Sequence, residues 1–203
     1  MSVPTTEPGL RERKKAATRL SLHEAALRLA LEHGPDRITV EAIADDAGVS
    51  RRTFSNYFAN KEEALFYGQH QRMREMAEMI RARPATEPAW QALTAAAAEF
   101  YSAQGDLDPE WTARTRLMRR HPSLAAAQMQ TFAAMEREVA AEVAVRLGHS
   151  EDPSGVRATL MAATFLSALR VALSAWLLHP ADSTYWEVAS EALAEAGRGY
   201  TAR

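Results

Sequence analysis

An all-α fold is predicted for this chain of 203 residues, from three observations. The sequence is rich in alanine and leucine, and 47% of its residues are hydrophobic. Runs with the alternation typical of strands are few, whereas apolar residues recur at helical spacing. Proline and glycine separate these helical segments. The length is sufficient for one or two domains with a core, and we predict about nine helices.

We predict four segments along the chain, bounded by proline, glycine or a change in charge: a disordered basic arm at 1–14, a three-helix domain at 15–60, a connecting helix at 61–83 and a helical bundle at 84–203. The first helix is expected from about Lys15 to His33, because Gly34 and Pro35 follow it. Five helices are expected in the bundle, at about 88–104, 108–120, 123–148, 153–179 and 183–198.

The segment Thr39–Lys61 has the local signals of two short helices joined by a tight turn. Thr39 and Ser50 are each placed to cap a helix, because a hydroxyl accepts a free backbone N–H. The first helix has an apolar stripe at i, i+3, i+4 and i+7, made of Val40, Ile43, Ala44 and Ala47. Gly48 follows, where helices commonly end in a left-handed residue. The second helix opens with Arg51 and Arg52, a layout that fits insertion into the major groove of DNA.

The spacing IA..AGVS..TF..YF..K resembles the DNA-binding domain of the TetR family of bacterial regulators. The residues that carry this resemblance are Ile43, Ala44, Ala47, Gly48, Val49, Ser50, Thr53, Phe54, Tyr57, Phe58 and Lys61. Residues 22–34 are similar to the first helix of that family, so the resemblance covers about residues 18–66. It implies a helix-turn-helix domain followed by a helical bundle for ligand binding and dimerisation.

The resemblance implies DNA contacts by residues in and beside the second motif helix: Thr39, Ser50, Arg51, Arg52, Thr53, Ser55, Asn56, Tyr57 and Lys61. An arginine can pair with guanine O6 and N7, and an asparagine can pair with adenine. Lys61 matches a family lysine that contacts phosphate. Ser55 and Asn56 stand where family members often have an aromatic residue, so the backbone contacts of that aromatic are in question here. For an isolated arginine pair, a solvated helix face is the alternative.

The charge distribution favours the N-terminal end as the face for nucleic acid. The net charge is −2. Residues 1–61 carry 10 Lys or Arg and 8 Asp or Glu, whereas residues 62–203 carry 14 and 18. Within 10–19 there are five basic residues and one acidic residue. We expect this basic segment to contact phosphates or the minor groove, or else to act only as a solubilising tail.

The segment Thr159–Leu178 is apolar for twenty residues with one charge, Arg170, at its middle. Its length is enough to span a membrane, but the central arginine and four hydroxyl residues disfavour insertion. We predict a soluble helix buried on most faces. The resemblance implies that the last two long helices pair with those of a second subunit in a four-helix bundle. Packing within one chain is the alternative.

Large apolar residues in the bundle are candidates for an effector pocket: Trp90, Phe100, Tyr101, Trp111, Met118, Phe132, Phe165 and Trp176. Each one alone is equally explained as core. Residues 114–147 resemble the ligand domain of a TetR subgroup thought to recognise acyl-CoA-like molecules. The four arginines of the segment either meet phosphate or carboxylate groups of a ligand or form a solvated face: Arg114, Arg116, Arg119 and Arg120.

Catalytic, metal and redox chemistry find no support in the sequence. Without cysteine there are no disulfides, thiolate zinc sites or cysteine nucleophiles, and the absence of an apolar leader indicates a reducing cytoplasm. The six histidines are scattered, and no phosphate-binding or nucleophile motif occurs. His23 and His33 are expected at exposed or capping positions, and His121 and His179 at helix ends. We assign no catalytic residue, metal or cofactor.

The resemblance therefore implies a ligand-responsive transcriptional regulator that binds a near-palindromic double-stranded DNA operator as a homodimer. A small hydrophobic effector, for which an acyl-CoA-like molecule is one candidate, would release a repressor of this type from DNA. The alternative is a helical small-molecule-binding or protein-interaction module that does not bind DNA.

Overall fold

The computed structural model describes residues 9–104, 109–179 and 183–201. These residues form helices without any strand, which confirms the predicted all-α fold. The helices are α1 (Leu10–His33), α2 (Val40–Asp46), α3 (Arg51–Ser55), α4 (Lys61–Ala82), α5 (Ala89–Gln104), α6 (Pro109–Arg120), α7 (Ala125–Glu151), α8 (Val156–Trp176) and α9 (Tyr185–Thr201). A 3-10 turn at Pro122–Leu124 precedes α7.

The described residues form two compact units. Unit 1 contains the residues up to Gly68 together with Arg119–Ala127, and unit 2 contains Gln69–Met118 and the residues from Gln128 onward. Helix α4 runs without interruption through Gly68, so its first turns belong to unit 1 and its later turns to unit 2. The four predicted domain boundaries remain a prediction. Residues 1–8 of the predicted arm lie outside the described residues, as do the predicted break at Gly105–Asp106 and part of that at His179–Pro180.

Helix α1 begins at Leu10, five residues before the predicted start, so residues 10–14 of the predicted disordered arm are helical, which corrects that prediction. The N–H of Arg13 donates to the carbonyl of Gly9 at 3.0 Å and closes the first turn. The residues from Leu10 to Ala17 are good helix formers, and this local preference extends the helix through the basic run. The helix ends at Gly34, where φ is +83°.

His23 is buried, so its predicted exposed or capping position is wrong. Its Nδ1 lies 2.7 Å from the carbonyl oxygen of Ala64, and its ring meets Tyr67 edge-on at 5.7 Å. A buried imidazole is tolerated when its polar atoms have partners. A Cβ at Gly68 would lie 2.6 Å from His23 Nε2, so glycine permits this close approach of α1 and α4. His33 lies in the last turn of α1 and is exposed, as expected.

The core of unit 2 forms where α8 and α9 pack together and α5 packs on α9. Phe165 and Leu193 are almost fully buried there. The indole of Trp90 stacks on Tyr200 with 4.9 Å between ring centroids and meets Phe165 edge-on at 6.3 Å. Burying several such large side chains stabilises a domain by about 1.5–3 kcal/mol each.

Helix α8 is buried on one face only. Asp152 precedes it, and its carboxylate accepts from the backbone N–H groups of Arg157 and Ala158 at 3.2 and 2.8 Å. These bonds lower the pKa of Asp152. The helix is long and apolar enough to cross a membrane, and 44% of its most apolar window is buried within the structure. The remaining face carries exposed apolar side chains: Val156, Leu160 and Val171.

We expect Gly197→Ala to destabilise unit 2 by about 1–3 kcal/mol, the range typical of overpacking. A Cβ at Gly197 would lie 2.1 Å from Trp90 Nε1, and the buried indole already packs against Tyr200 and Phe165. Gly199→Ala is the matched control two residues further on, because no atom lies within 4 Å of its Cβ position. Thermal unfolding of both variants tests the contact. Equal melting temperatures would contradict it.

Candidate nucleic-acid interface

Two hydroxyl caps and a left-handed glycine set the geometry of the α2–turn–α3 segment. Thr39 Oγ1 accepts from the N–H of Ala42 at 3.1 Å, and Ser50 Oγ accepts from the N–H of Thr53 at 3.0 Å. Gly48 has φ of +68°, a conformation that residues with a Cβ rarely adopt. The N–H of Val49 donates to the carbonyl of Ala44 at 2.9 Å. These local predictions from the sequence are confirmed.

The inner face of α3 is held by aromatic packing and by one arginine from α1. Phe54 and Phe58 are 1% and 2% exposed, with 5.8 Å between their ring centroids. Arg19 Nη2 donates to the carbonyl oxygen of Tyr57 at 3.1 Å. The Arg19 guanidinium also lies 5.6 Å from the ring centroids of Phe58 and Tyr67. Sequence reasoning missed this role of Arg19, because it treated the residue as part of the basic run.

The outer face of α3 presents the predicted contact residues. Four of them are exposed and two half-buried: Arg51, Arg52, Ser55 and Asn56, then Thr53 and Tyr57. Arg51 Nη1 lies 2.8 Å from Glu41 Oε1 on α2. Within the helix, Ser55 Oγ donates to the carbonyl of Arg51 at 3.2 Å. The structure therefore brings most of the predicted residues together on one exposed surface.

A cleft of about 790 Å³ lies between the start of α1 and the C-terminal end of α3. Residues of α1 line one side and residues of the motif line the other: Leu10, Arg11, Glu12, Lys14, Lys15 and Thr18, then Thr53, Asn56 and Tyr57. Three of the α1 residues are basic and exposed. The helical basic segment thus adjoins the predicted base-reading residues, which the sequence alone did not establish.

The side chain of Lys61 forms hydrogen bonds within unit 1. Its Nζ donates to the carbonyl oxygens of Pro35 and Ile38 at 2.8 and 3.1 Å, so it holds the α1–α2 loop. Asp36 of that loop has a pKa below its usual value, chiefly because Ser123 donates a hydrogen bond to its carboxylate. His121 Nδ1 lies 3.4 Å from the same carboxylate. The predicted phosphate contact of Lys61 remains a prediction.

The predicted effector-pocket residues separate into two groups in unit 2. Five are buried: Trp90, Phe100, Met118, Phe165 and Trp176. Tyr101, Trp111 and Phe132 are only partly buried and pack at the margin of the core. The guanidinium of Arg72 lies 5.2 Å from the centroid of Phe100 and 5.4 Å from that of Trp111. Burial lowers the pKa of Arg72 and raises that of Tyr101.

The four arginines at 114–120 do not share one environment. Arg116 Nη2 donates to the carbonyl of Leu177 at 2.7 Å, just beyond the end of α8. Arg119 and Arg120 belong to unit 1, whereas Arg114 and Arg116 belong to unit 2. The predicted contact of these four arginines with a ligand remains a prediction.

The capped two-helix geometry with an exposed arginine pair defines a helix-turn-helix DNA-binding protein. Residues 22–66 match the family described as bacterial regulatory proteins, tetR family, and residues 87–201 match the MftR C-terminal domain. The chain belongs to the TetR family and is a DNA-binding transcriptional regulator. The families that it matches are regulators rather than enzymes.

Relatives support this assignment over most of the chain. The HTH-type transcriptional regulator TcmR of Streptomyces glaucescens is 33% identical over 177 residues, which cover 84% of this chain and 78% of TcmR. SmeT of Stenotrophomonas maltophilia, in complex with triclosan, has a TM-score of 0.63 at 21% identity and covers 90% of this chain and 91% of its own. Thermus thermophilus FadR with lauroyl-CoA has a TM-score of 0.59 at 20% identity, covering 91% and 96%.

We expect Asp36→Asn to lower the stability of unit 1 at neutral pH and to have little effect in acid. The folded-state pKa of Asp36 is depressed, so its contribution is present above the unfolded value of 3.8 and is lost as pH falls through the lower folded value. Urea unfolding at pH 6.5 and at about pH 3 measures the difference. Asp45→Asn removes an exposed carboxylate of α2 as the control for charge. An equal loss at both pH values would contradict the role of Asp36.

Proposed function

We propose that the protein acts as a homodimeric, ligand-responsive repressor, in which two α3 helices enter successive major grooves of a near-palindromic operator. The observation that carries this proposal is the exposed pair Arg51 and Arg52 at the start of the capped helix α3. Recognition helices reach base edges with such N-terminal residues, and dimers place them one helical turn of DNA apart. A repressor of this kind works in the cytoplasm and has no catalytic role.

In this proposal, some side chains in and beside α3 contact bases and others contact phosphates. Arg51 and Arg52 read guanine, and Asn56 reads adenine or a neighbouring phosphate. Ser55 is partly committed, because its hydroxyl donates within α3. Thr39, Ser50, Thr53 and Tyr57 contact phosphates. Lys61 adds a positive charge at the start of α4, although two of its donors already bind the α1–α2 loop.

The basic start of α1 extends the phosphate-binding surface. Arg11, Lys14 and Lys15 line the cleft that ends at Asn56 and Tyr57. A phosphate backbone that passes this cleft meets exposed cations on α1 and hydroxyl or amide donors on α3. Because such contacts release counterions, they predict affinity that falls steeply with salt.

The exposed apolar face of α8 supports dimerisation through the last two long helices. Val156, Leu160 and Val171 are 65%, 57% and 53% exposed in the isolated chain. Small residues that permit close helix approach lie on the same helix: Ala163, Ser167, Ser174 and Ala175. An apolar face of this kind on a soluble regulator is stable when a partner covers it. Arg170 is a charged residue of α8 that is exposed in the isolated chain.

A small hydrophobic effector is proposed for unit 2. SmeT is seen with triclosan and FadR with lauroyl-CoA, and both share the fold. The partly buried aromatic side chains of Tyr101, Trp111 and Phe132 suit an apolar ligand at the margin of the core. An effector shifts the regulator only if it binds the released state better than the DNA-bound state. Release of operator DNA by lauroyl-CoA or triclosan tests this proposal, and retention of the operator with both would contradict it for these ligands.

We expect Arg51→Ala and Arg52→Ala each to weaken operator binding by about 1–3 kcal/mol. Each substitution removes a guanidinium that would donate two hydrogen bonds to a guanine. Gel shifts with DNA upstream of the protein's own gene measure this loss, and a salt titration counts the phosphates contacted. Arg137→Ala removes an exposed arginine from α7, outside the proposed dimer interface, and is the control. Unchanged operator affinity in both α3 variants would contradict the proposal that α3 contacts the bases.

We expect Val171→Glu to convert the dimer into monomers, because dimer formation would bury the new carboxylate in an apolar interface. Light scattering after size-exclusion chromatography gives the mass directly. Val145→Glu is the control, since Val145 is 80% exposed on α7, outside the proposed interface. If Val171→Glu remains dimeric at micromolar concentration, the interface lies elsewhere.

A further inference from the structure

The two arginines of α3 differ in how they are held. Arg51 Nη1 lies 2.8 Å from Glu41 Oε1, an ion pair that joins α3 to α2. Both side chains remain largely exposed, Arg51 by 72% and Glu41 by 52%. For Arg52, no ion pair is described among the residues that the structure covers. The carboxylate of Glu41 therefore distinguishes one arginine of the pair.

Both partners of this ion pair stand on fixed backbone. Glu41 lies in the first turn of α2, two residues after the Thr39 cap. Arg51 is the first residue of α3, directly after the Ser50 cap. A guanidinium has five N–H donors, so one bond to Glu41 leaves others for a base. Because the free side chain would otherwise sample many rotamers, a fixed carboxylate beside it reduces the entropy lost on binding.

We propose that Glu41 is a positioning residue that sets sequence specificity: its carboxylate holds Arg51 in the geometry that reads one guanine and repels phosphate from the same spot. This inference rests on the proposed function of α3 as the reading helix. Specificity is a difference of two affinities, and a repulsive group can raise it as well as an attractive one. Glu41 serves both purposes, because it orders the arginine and lowers affinity for DNA that offers only phosphates.

The proposal has a signature that a purely structural role of Glu41 lacks. Loss of the carboxylate should raise the affinity for unrelated DNA, because one phosphate-repelling charge is gone. The ratio of specific to unrelated affinity should fall, and the loss should concentrate at one G·C pair of each half-site. A residue that only stabilised α2 would lower both affinities together and leave the ratio unchanged.

The experiment uses the full-length protein and a binding site that the wild type selects from random duplex DNA. Dissociation constants are measured at fixed salt for that site, for each single G·C to A·T change in it, and for an unrelated duplex. For Glu41→Gln we expect the ratio of specific to unrelated affinity to fall about fivefold, the limit for an exposed ion pair. We also expect the penalty for changing one G·C pair to shrink by a similar factor.

Glu41→Asp separates positioning from charge. The shorter side chain withdraws the carboxylate from Arg51 but retains a negative charge near the DNA and at the N-terminus of α2. We expect it to lose the discrimination without the rise in affinity for unrelated DNA. Asp45→Asn, which removes an exposed charge from the same helix, is the matched control and should keep the wild-type ratio. Circular dichroism of each variant confirms that the helices are intact.

A double variant identifies the arginine involved. In an Arg51→Ala background, Glu41→Gln should no longer change the penalty for altering one G·C pair, whereas in an Arg52→Ala background that change should persist. An unchanged or increased ratio in Glu41→Gln overturns the inference, and so does a smaller G·C penalty in Glu41→Gln that persists without Arg51. If the wild type selects no sequence at all, the proposed function of α3 fails and the inference fails with it, a result distinct from the others.

Discussion

The geometry of the DNA-reading surface depends on one constraint, which is that α3 has only five residues. A helix of that length is unstable in isolation, since nucleation costs more than a single turn returns. It persists here because three kinds of contact hold it. Ser50 caps its start, Phe54 and Phe58 are buried beneath it, and Arg19 binds the carbonyl of Tyr57 beyond its end. The exposed side chains of α3 therefore contribute little to holding the helix, apart from the ion pair of Arg51 and the hydroxyl bond of Ser55.

This division of labour explains how a chain with a net charge of −2 binds DNA. Buried aromatic residues and the hydroxyl caps of Thr39 and Ser50 stabilise the motif, and exposed cations lie where α1 begins and where α3 begins. The carboxylate of Glu41 is paired with Arg51 of α3. Local charge thus decides where a phosphate backbone lies, because charges further apart than about 8 Å are largely screened at physiological salt.

The sequence was sufficient for features whose cause is local. The caps at Thr39 and Ser50, the left-handed Gly48 and the all-helical fold follow from neighbouring residues and were predicted. Contacts between distant residues were not predictable. The hydrogen bond from Arg19 to Tyr57 joins residues 38 positions apart, and that between His23 and Ala64 joins residues 41 positions apart. The periodicity of apolar residues along the sequence does not indicate such pairs. The aromatic residues of unit 2 could not be sorted into core and pocket, because both require apolar side chains at helical spacing.

Regulation by an effector requires that a change in unit 2 alters unit 1, and the chain has two direct covalent routes. Helix α4 is continuous across Gly68, where a close approach to His23 leaves no volume for a side chain. The segment Arg119–Ala127 belongs to unit 1 although the residues on both sides belong to unit 2, and its Ser123 holds Asp36. An effector can shift the protein between two states only by the difference in its affinity for them, so that difference is the upper limit on any regulation carried by these two segments.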